Sequence, residues 1–193
     1  AGTPGFGMIH GVLTHFTTDT GILGVVNGRL VPPKTVARSA TRAIAEFGMI
    51  RPDDRVLVAL SGGKDSLTLL HTLLHLQKRA PLRFEIGVAA VDPGIEGFDP
   101  SYLKAYVPAL GIPLYYRQEK IVERALQTMR GDSFCAYCAR MRRGILYDVA
   151  RQQGYNVLAL GHHLDDLAES FLLSAFFGGR LGTMKAHYRN DAG

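Results

Sequence analysis

The chain has 193 residues, enough for one domain with a small appendage, and its 47% apolar and 20% charged composition excludes intrinsic disorder. No apolar run approaches the roughly 18 residues of a membrane span, so no membrane partner is expected. The net charge of +5 admits nucleic acid as a partner, and two cysteines only three apart exclude a disulfide scaffold.

Seven of the 22 glycines fall in the first thirty residues, and no basic segment followed by an apolar one marks a signal peptide. Residues 1–33 are read as a Gly-rich segment of unknown role. Within it, Asn27-Gly28 between apolar residues is a hairpin signal. Lys34–Phe47 carries apolar residues at Val36, Ala37, Ala40, Ile44 and Phe47, a helical period, and Gly48 is a natural stop. Arg55–Leu60 is a nearly all-apolar run, as expected of a buried parallel strand. Asp65–Arg79 reads as a helix, Phe84–Val91 as a strand ending at Asp92-Pro-Gly, and Pro100–Leu110 as a helix stopped by Gly111. A strand at Ile112–Tyr116 follows, then helices at Ile121–Met129 and Ala139–Gln153, a strand at Tyr155–Leu160 and a helix at Leu164–Phe177 before Gly178-Gly179. Strands alternating with helices predict an α/β fold, a parallel sheet with helices on both faces. The chain begins with Ala rather than Met, and the turn-rich Tyr188–Gly193 stops where another strand would be expected. Both ends lead to the expectation of a fragment, truncated at the C-terminal end of a domain spanning 34–193.

Ser61-Gly-Gly-Lys-Asp-Ser66 joins the first buried strand to a helix, the place where a doubly wound fold binds its ligand. Gly62 and Gly63 let backbone N–H groups approach an anion, and the helix N-terminus adds positive partial charge. Ser61 and Ser66 offer hydroxyls and Lys64 a mobile cation. Asp65 suits Mg²⁺ or a helix cap better than bare phosphate. A Walker loop is excluded, because Asp65 follows Lys64 where Ser or Thr is needed and Val58 stands where the first Gly should be. A plain glycine turn is the bland alternative, and six fitting residues after a buried strand weigh against it. Ser-Gly-Gly-x-Asp-Ser resembles the PP-loop signature of ATP pyrophosphatases. That resemblance implies that the loop grips the pyrophosphate leaving group of ATP.

Cys135-Ala-Tyr-Cys138 runs into Ala139-Arg-Met-Arg-Arg-Gly144. A redox pair, part of a zinc site and part of an iron–sulfur site all remain open on spacing alone, beside a chance pair of thiols. Arg142 and Arg143 are candidate cations for phosphate or RNA; for Arg140 a solvated face is as good a reading. Gly161-His-His-Leu-Asp-Asp166 follows the fourth strand and opens a helix on the same sheet edge. Gly161 permits close approach to a nucleotide, and Asp165 and Asp166 suit Mg²⁺ or a cap. His162 and His163 suit phosphate, RNA or simple packing. His71 and His75 lack the Glu of a metalloprotease helix and are read as structural, and Leu67, Leu69, Leu70, Leu73, Leu74 and Leu76 as core.

Taken with Ala43–Ile50 and Ala159–Asp166, the string from Cys135 to Tyr147 resembles TtcA-type tRNA two-thiocytidine synthetases over about residues 35 to 190. The resemblance implies an adenine-nucleotide α-hydrolase-like fold and ATP-dependent thiolation of an anticodon-loop cytidine. The C2 oxygen would be adenylated and then replaced by sulfur. It implies ATP and Mg²⁺, and a 4Fe-4S cluster held by Cys135, Cys138 and one further cysteine. This chain has only those two cysteines, and the family's third would fall just beyond Gly193. The expectation is therefore that the chain as it stands holds no stable cluster in air. Asp65, Lys64, Arg142 and Asp165 are the candidate catalytic groups; Ser61, Gly62, Gly63, Lys64, Asp65, Ser66 and Gly161 the nucleotide-binding ones. The implied partners are tRNA and a sulfur donor such as a cysteine desulfurase, with a homodimer as the candidate assembly and the cytoplasm as the expected location. The alternatives are a thiouridine or lysidine synthetase of the same superfamily, or a nucleotide-binding module without turnover.

Overall fold

A computed structural model describes residues 6–10, 24–26, 29–95, 97, 99–128 and 134–190. Among them, six strands form one sheet: β1 (Phe6–His10), β4 (Asp54–Ala59), β5 (Phe84–Asp92), β6 (Leu114–Gln118), β7 (Val157–Leu160) and β8 (His187–Asn190). Two short strands, β2 (Gly24–Val26) and β3 (Arg29–Val31), pair antiparallel by themselves, Val26 opposite Arg29. That is the pairing the Asn27-Gly28 signal predicts, though those two residues lie outside the described ones. The helices are α1 (Lys34–Phe47), α2 (Lys64–Arg79), α3 (Leu103–Ala109), α4 (Ile121–Thr128), α5 (Phe134–Gln153) and α6 (Leu164–Gly178). The expected Met129 at the end of α4 lies outside the described residues.

The sheet order is β6-β5-β4-β7-β1-β8. β4 pairs in parallel with β5 on one side and β7 on the other. The chain thus winds outward from β4 through β5 to β6, then returns to the opposite side for β7. The reversal falls between β4 and β7, and it opens a crevice beyond their carboxyl ends.

Both faces are covered, which explains the continuous apolar strands. Val56, Val58, Ile86, Val88 and Val157 face α1, α2 and α3, where Val36, Ala40, Leu69, Leu70, Leu73 and Val107 complete one core. Leu57, Ala89, Val91 and Leu158 face the other way onto Ile121 of α4 and Leu146, Val149 and Ala150 of α5. The alternation follows from the two-residue period of a strand.

Five expectations need correction. The sheet has two strands beyond the four read from sequence: β1, parallel to β7, and β8, antiparallel to β1. The Tyr188 tail was expected to stop short of a strand, yet His187–Asn190 is itself one. β6 begins at Leu114 rather than Ile112, because Pro113 has no N–H for the ladder and only its carbonyl joins, accepting from Val88 N at 3.0 Å. α3 begins at Leu103 rather than Pro100. Residues 99–102 form a turn, with Asp99 Oδ1 accepting from Ser101 N at 2.8 Å. The fifth helix, finally, starts five residues earlier than Ala139 and contains both cysteines.

Candidate functional site

The loop after β4 is held by its own serines. Ser66, buried at the first turn of α2, donates its hydroxyl to Gly63 O at 2.9 Å and accepts from Ser61 N at 3.2 Å. Ser61 Oγ lies 3.1 Å from Ser66 Oγ. The Ser66 hydrogen is therefore committed inside the loop, and Ser66 shapes the cradle, leaving Ser61 as the exposed hydroxyl. Gly62 sits at φ +86°, a left-handed conformation that side chains rarely adopt. The first helical bond of α2 is Leu67 N to Gly63 O at 3.1 Å, so the amides of residues 64–66 precede it. N–H groups in that position have no partner within their helix and form an anion site with the helix dipole.

Gly161 meets a packing need as well. A Cβ at this position would stand 2.9 Å from both the N and the Cα of Ser66. The glycine lets the β7 loop press against the start of α2, and it also lines the cavity described below. His162 follows, its N–H donating to Leu160 O at 2.9 Å, and burial pushes its imidazole below the ordinary value. Asp166 accepts from the backbone N of His163 at 2.7 Å, so this carboxylate caps α6. Asp165 is exposed beside it, 4.0 Å from His163 Nδ1.

A cavity of about 270 Å³ opens between these loops and α5. One wall is Ser61, Gly63, Asp65 and Ser66, the facing wall Ala139, Arg142 and Arg143, with Gly161 and His162 at the side. Ala59, Ala89, Val91 and Leu146 make an apolar floor. Burial pulls the Arg142 guanidinium somewhat below its usual value, and the neighbouring Cys138 opposes that shift. An arginine remains charged under such a shift, so half-buried Arg142 presents a partly desolvated cation to the cavity. Lys64 points outward: its side chain is 84% exposed and its Nζ lies 3.4 Å from Asp65 Oδ1.

Cys135 and Cys138 are both free thiols in the first two turns of α5, Cys135 exposed and Cys138 half-buried against the second core. The Gly131-Asp132-Ser133 run ahead of them is a helix-start signal that could have placed them in the helix. Among the described residues no group of three or more His, Cys, Asp or Glu side chains could hold a metal ion. Two thiols one helical turn apart do not by themselves make a complete cluster site. For Mg²⁺ the fit is partial. Asp65 supplies one hard oxygen at the cavity wall, and a bound nucleotide's phosphates would have to supply others. Tyr102, whose hydroxyl reaches the loop, is a site residue that sequence reasoning missed. It is 40 positions from Gly62, and only folding brings them together.

Strand order, a serine-stapled glycine loop and facing arginines at a switch point together define a doubly wound α/β domain built to hold an anionic ligand. The chain belongs to the PP-loop domain family, whose pattern matches residues 33–192. It is similar to a tRNA-cytidine(32) 2-sulfurtransferase of Bordetella parapertussis, 45% identical over 163 residues that cover 83% of this chain and 50% of that protein. It is likewise similar to the protein of the same name from Syntrophotalea carbinolica, 42% identical over 170 residues, 88% of this chain and 65% of the relative. The chain thus spans between half and two thirds of the length of these curated relatives. Among solved structures it resembles the U34-tRNA thiolase NcsA from Methanococcus maripaludis with its 4Fe-4S cluster. That match has a TM-score of 0.60 and 26% identity, over 78% of this chain and 53% of the other.

Proposed function

We propose that the chain carries the nucleotide site of an ATP-dependent tRNA thiolase acting on C2 of an anticodon-loop cytidine. The observation that carries this reading is the cavity walled by the serine–glycine loop on one side and Arg142 and Arg143 on the other. The loop's N–H groups and the α2 dipole suit the β- and γ-phosphates. The α-phosphate would then lie toward the arginines, open to the base. The C2 oxygen attacks the α-phosphorus, the bond to the β-phosphate breaks, and pyrophosphate departs into the loop. Donors already aimed at that growing charge lower the barrier without having to reorganise. The resulting O-adenylated carbon loses AMP when a sulfur nucleophile adds. Mg²⁺, held in part by Asp65, would neutralise phosphate charge as a Lewis acid. Asp165 is available to it from the start of α6. Lys64, exposed at the head of α2, is available to swing onto the phosphates.

The base must be unstacked to reach a cavity this size, as nucleotides in RNA loops can be. Exposed Arg143 is placed to meet the RNA backbone at the rim. The sulfur donor is read as a cysteine-desulfurase type of protein, delivering to the thiol-bearing turn of α5. The cytoplasm is the location this substrate implies; no helix among the described residues is long and apolar enough to cross a membrane. A homodimer is the proposed assembly, consistent with the apolar surface of α6, where Phe176 is 76% and Phe177 84% exposed. The deciding experiment is pyrophosphate release from ATP with Mg²⁺, with and without unmodified tRNA. Release that rises on adding tRNA is expected. ATP binding without any release in the presence of tRNA would favour a nucleotide-binding module instead.

A further inference from the structure

Tyr102 lies outside every motif read from the sequence, yet its hydroxyl donates to the carbonyl oxygen of Gly62 at 2.9 Å. A trans peptide is planar, so its C=O and N–H point in opposite directions. With the Gly62 carbonyl turned to Tyr102, the N–H of Gly63 is turned into the loop, where Ser61 Oγ lies 3.4 Å away. That contact is too long to occupy the donor fully. Gly63 itself lines the cavity. Rotating this one peptide by half a turn would replace a donor with a carbonyl oxygen, a partial negative charge aimed at the anion. Glycine on both sides of the peptide makes such a flip sterically easy. Ser66 Oγ holds the next carbonyl, that of Gly63, at 2.9 Å. Each of the two peptides therefore has its own anchor.

We propose that Tyr102 is a positioning residue that latches the Gly62–Gly63 peptide with its N–H facing the phosphates. The inference rests on the reading of this loop as the pyrophosphate cradle. Tyr102 is 51% exposed, so its hydroxyl can be removed without opening a hole in the core. A side chain at position 62 would disturb the latch, because a Cβ there would stand 2.6 Å from Tyr102 Oη and push the ring aside.

The test is calorimetric titration of inorganic pyrophosphate and of ATP with Mg²⁺ into the 193-residue chain, comparing wild type, Tyr102→Phe and Tyr102→Ala. Losing one hydrogen bond should weaken both ligands about five- to tenfold in Tyr102→Phe, with Tyr102→Ala within about twofold of it. Melting temperatures should be unchanged. In amide spectra the Gly63 signal, which moves on adding pyrophosphate to the wild type, should already be displaced in ligand-free Tyr102→Phe. A purely covering role for the ring would leave Tyr102→Phe binding like wild type while Tyr102→Ala failed, and that result would overturn the latch alone. A wild-type chain that takes up neither ligand would overturn the nucleotide reading and the latch with it.

Discussion

Asp65 and Gly161 show how much a single position can decide. Asp65 is the acidic group on the loop wall of the cavity, and it also sits in the first turn of α2. Asp65→Ala is expected to lower tRNA-dependent pyrophosphate release at least about a hundredfold while the melting curve stays close to wild type. Release at the wild-type rate would remove Asp65 from the mechanism. At Gly161 the constraint is steric, and the atoms that would be hit are backbone, which cannot swing aside. Gly161→Ala should therefore cost about 1–3 kcal/mol in denaturant unfolding and loosen the loop as well. Arg142 and Arg143 are adjacent in sequence but not alike, one half-buried and the other exposed. Replacing both with Ala should reduce the slope of log tRNA affinity against log salt by about 1 to 2. An unchanged slope would mean that neither touches phosphate.

Among the elements, α2 and α3 are joined through a buried histidine. His71 Nε2 and Tyr106 Oη lie 2.5 Å apart with His71 only 5% exposed. Burial lowers the His71 pKa from its ordinary 6.5, so the folded chain favours the neutral ring. Below 6.5 and above the folded value, the unfolded chain binds more protons than the folded one. This contribution to stability is therefore complete above about pH 6.5 and is lost as pH falls, until folded His71 protonates too. His162 is shifted the same way, also by burial. Thermal melts from about pH 7.5 down to about pH 5 should show falling stability, and His71→Gln should flatten part of that fall. Identical pH dependence in the two proteins would place the sensitivity elsewhere. At the other end of the sheet, Arg55 staples α5 to β4. Its guanidinium donates to Gln153 O at 2.9 Å and Gly154 O at 3.1 Å, and it lies 4.7 Å from the centre of the Tyr155 ring. Carbonyls at a helix C-terminus are natural acceptors for such a cation.

On the scale of the whole molecule, the site is a product of strand order. Residues 61–66, 139–143 and 161–162 come from three distant stretches of sequence. They meet because β4 and β7 are neighbours and because α5 packs across the face that Leu57 and Leu158 present. α6 stands apart, with none of its residues buried and Phe171, Leu172, Leu173, Phe176 and Phe177 all exposed. So large an apolar surface is unusual for an isolated domain. Sedimentation of the chain at increasing concentration should show self-association, and Phe176→Asp with Phe177→Asp should reduce it. A monomer at every concentration would sink the homodimer.

The sequence by itself determined the local features. The period of α1, the all-apolar runs of β4 and β5, the glycine stops after α1 and α5, and the glycine turn from β4 into α2 at Ser61–Ser66 were all legible. Each is encoded by neighbours within one or two turns of chain, where propensity and patterning act directly. β1 and β8 were not legible, because Phe6–His10 and His187–Asn190 become strands only by pairing with each other and with β7, partners more than a hundred residues away for β1. The start of α5 was obscured because a cysteine pair invites reading as a loop motif. The contacts of Ser66, Gly161 and Tyr102 lay beyond the sequence altogether. Which carbonyl a hydroxyl reaches, and how closely a glycine lets two loops approach, is fixed by distances across the fold. Those distances depend on how the sheet is ordered and its faces packed, and no window of sequence contains them.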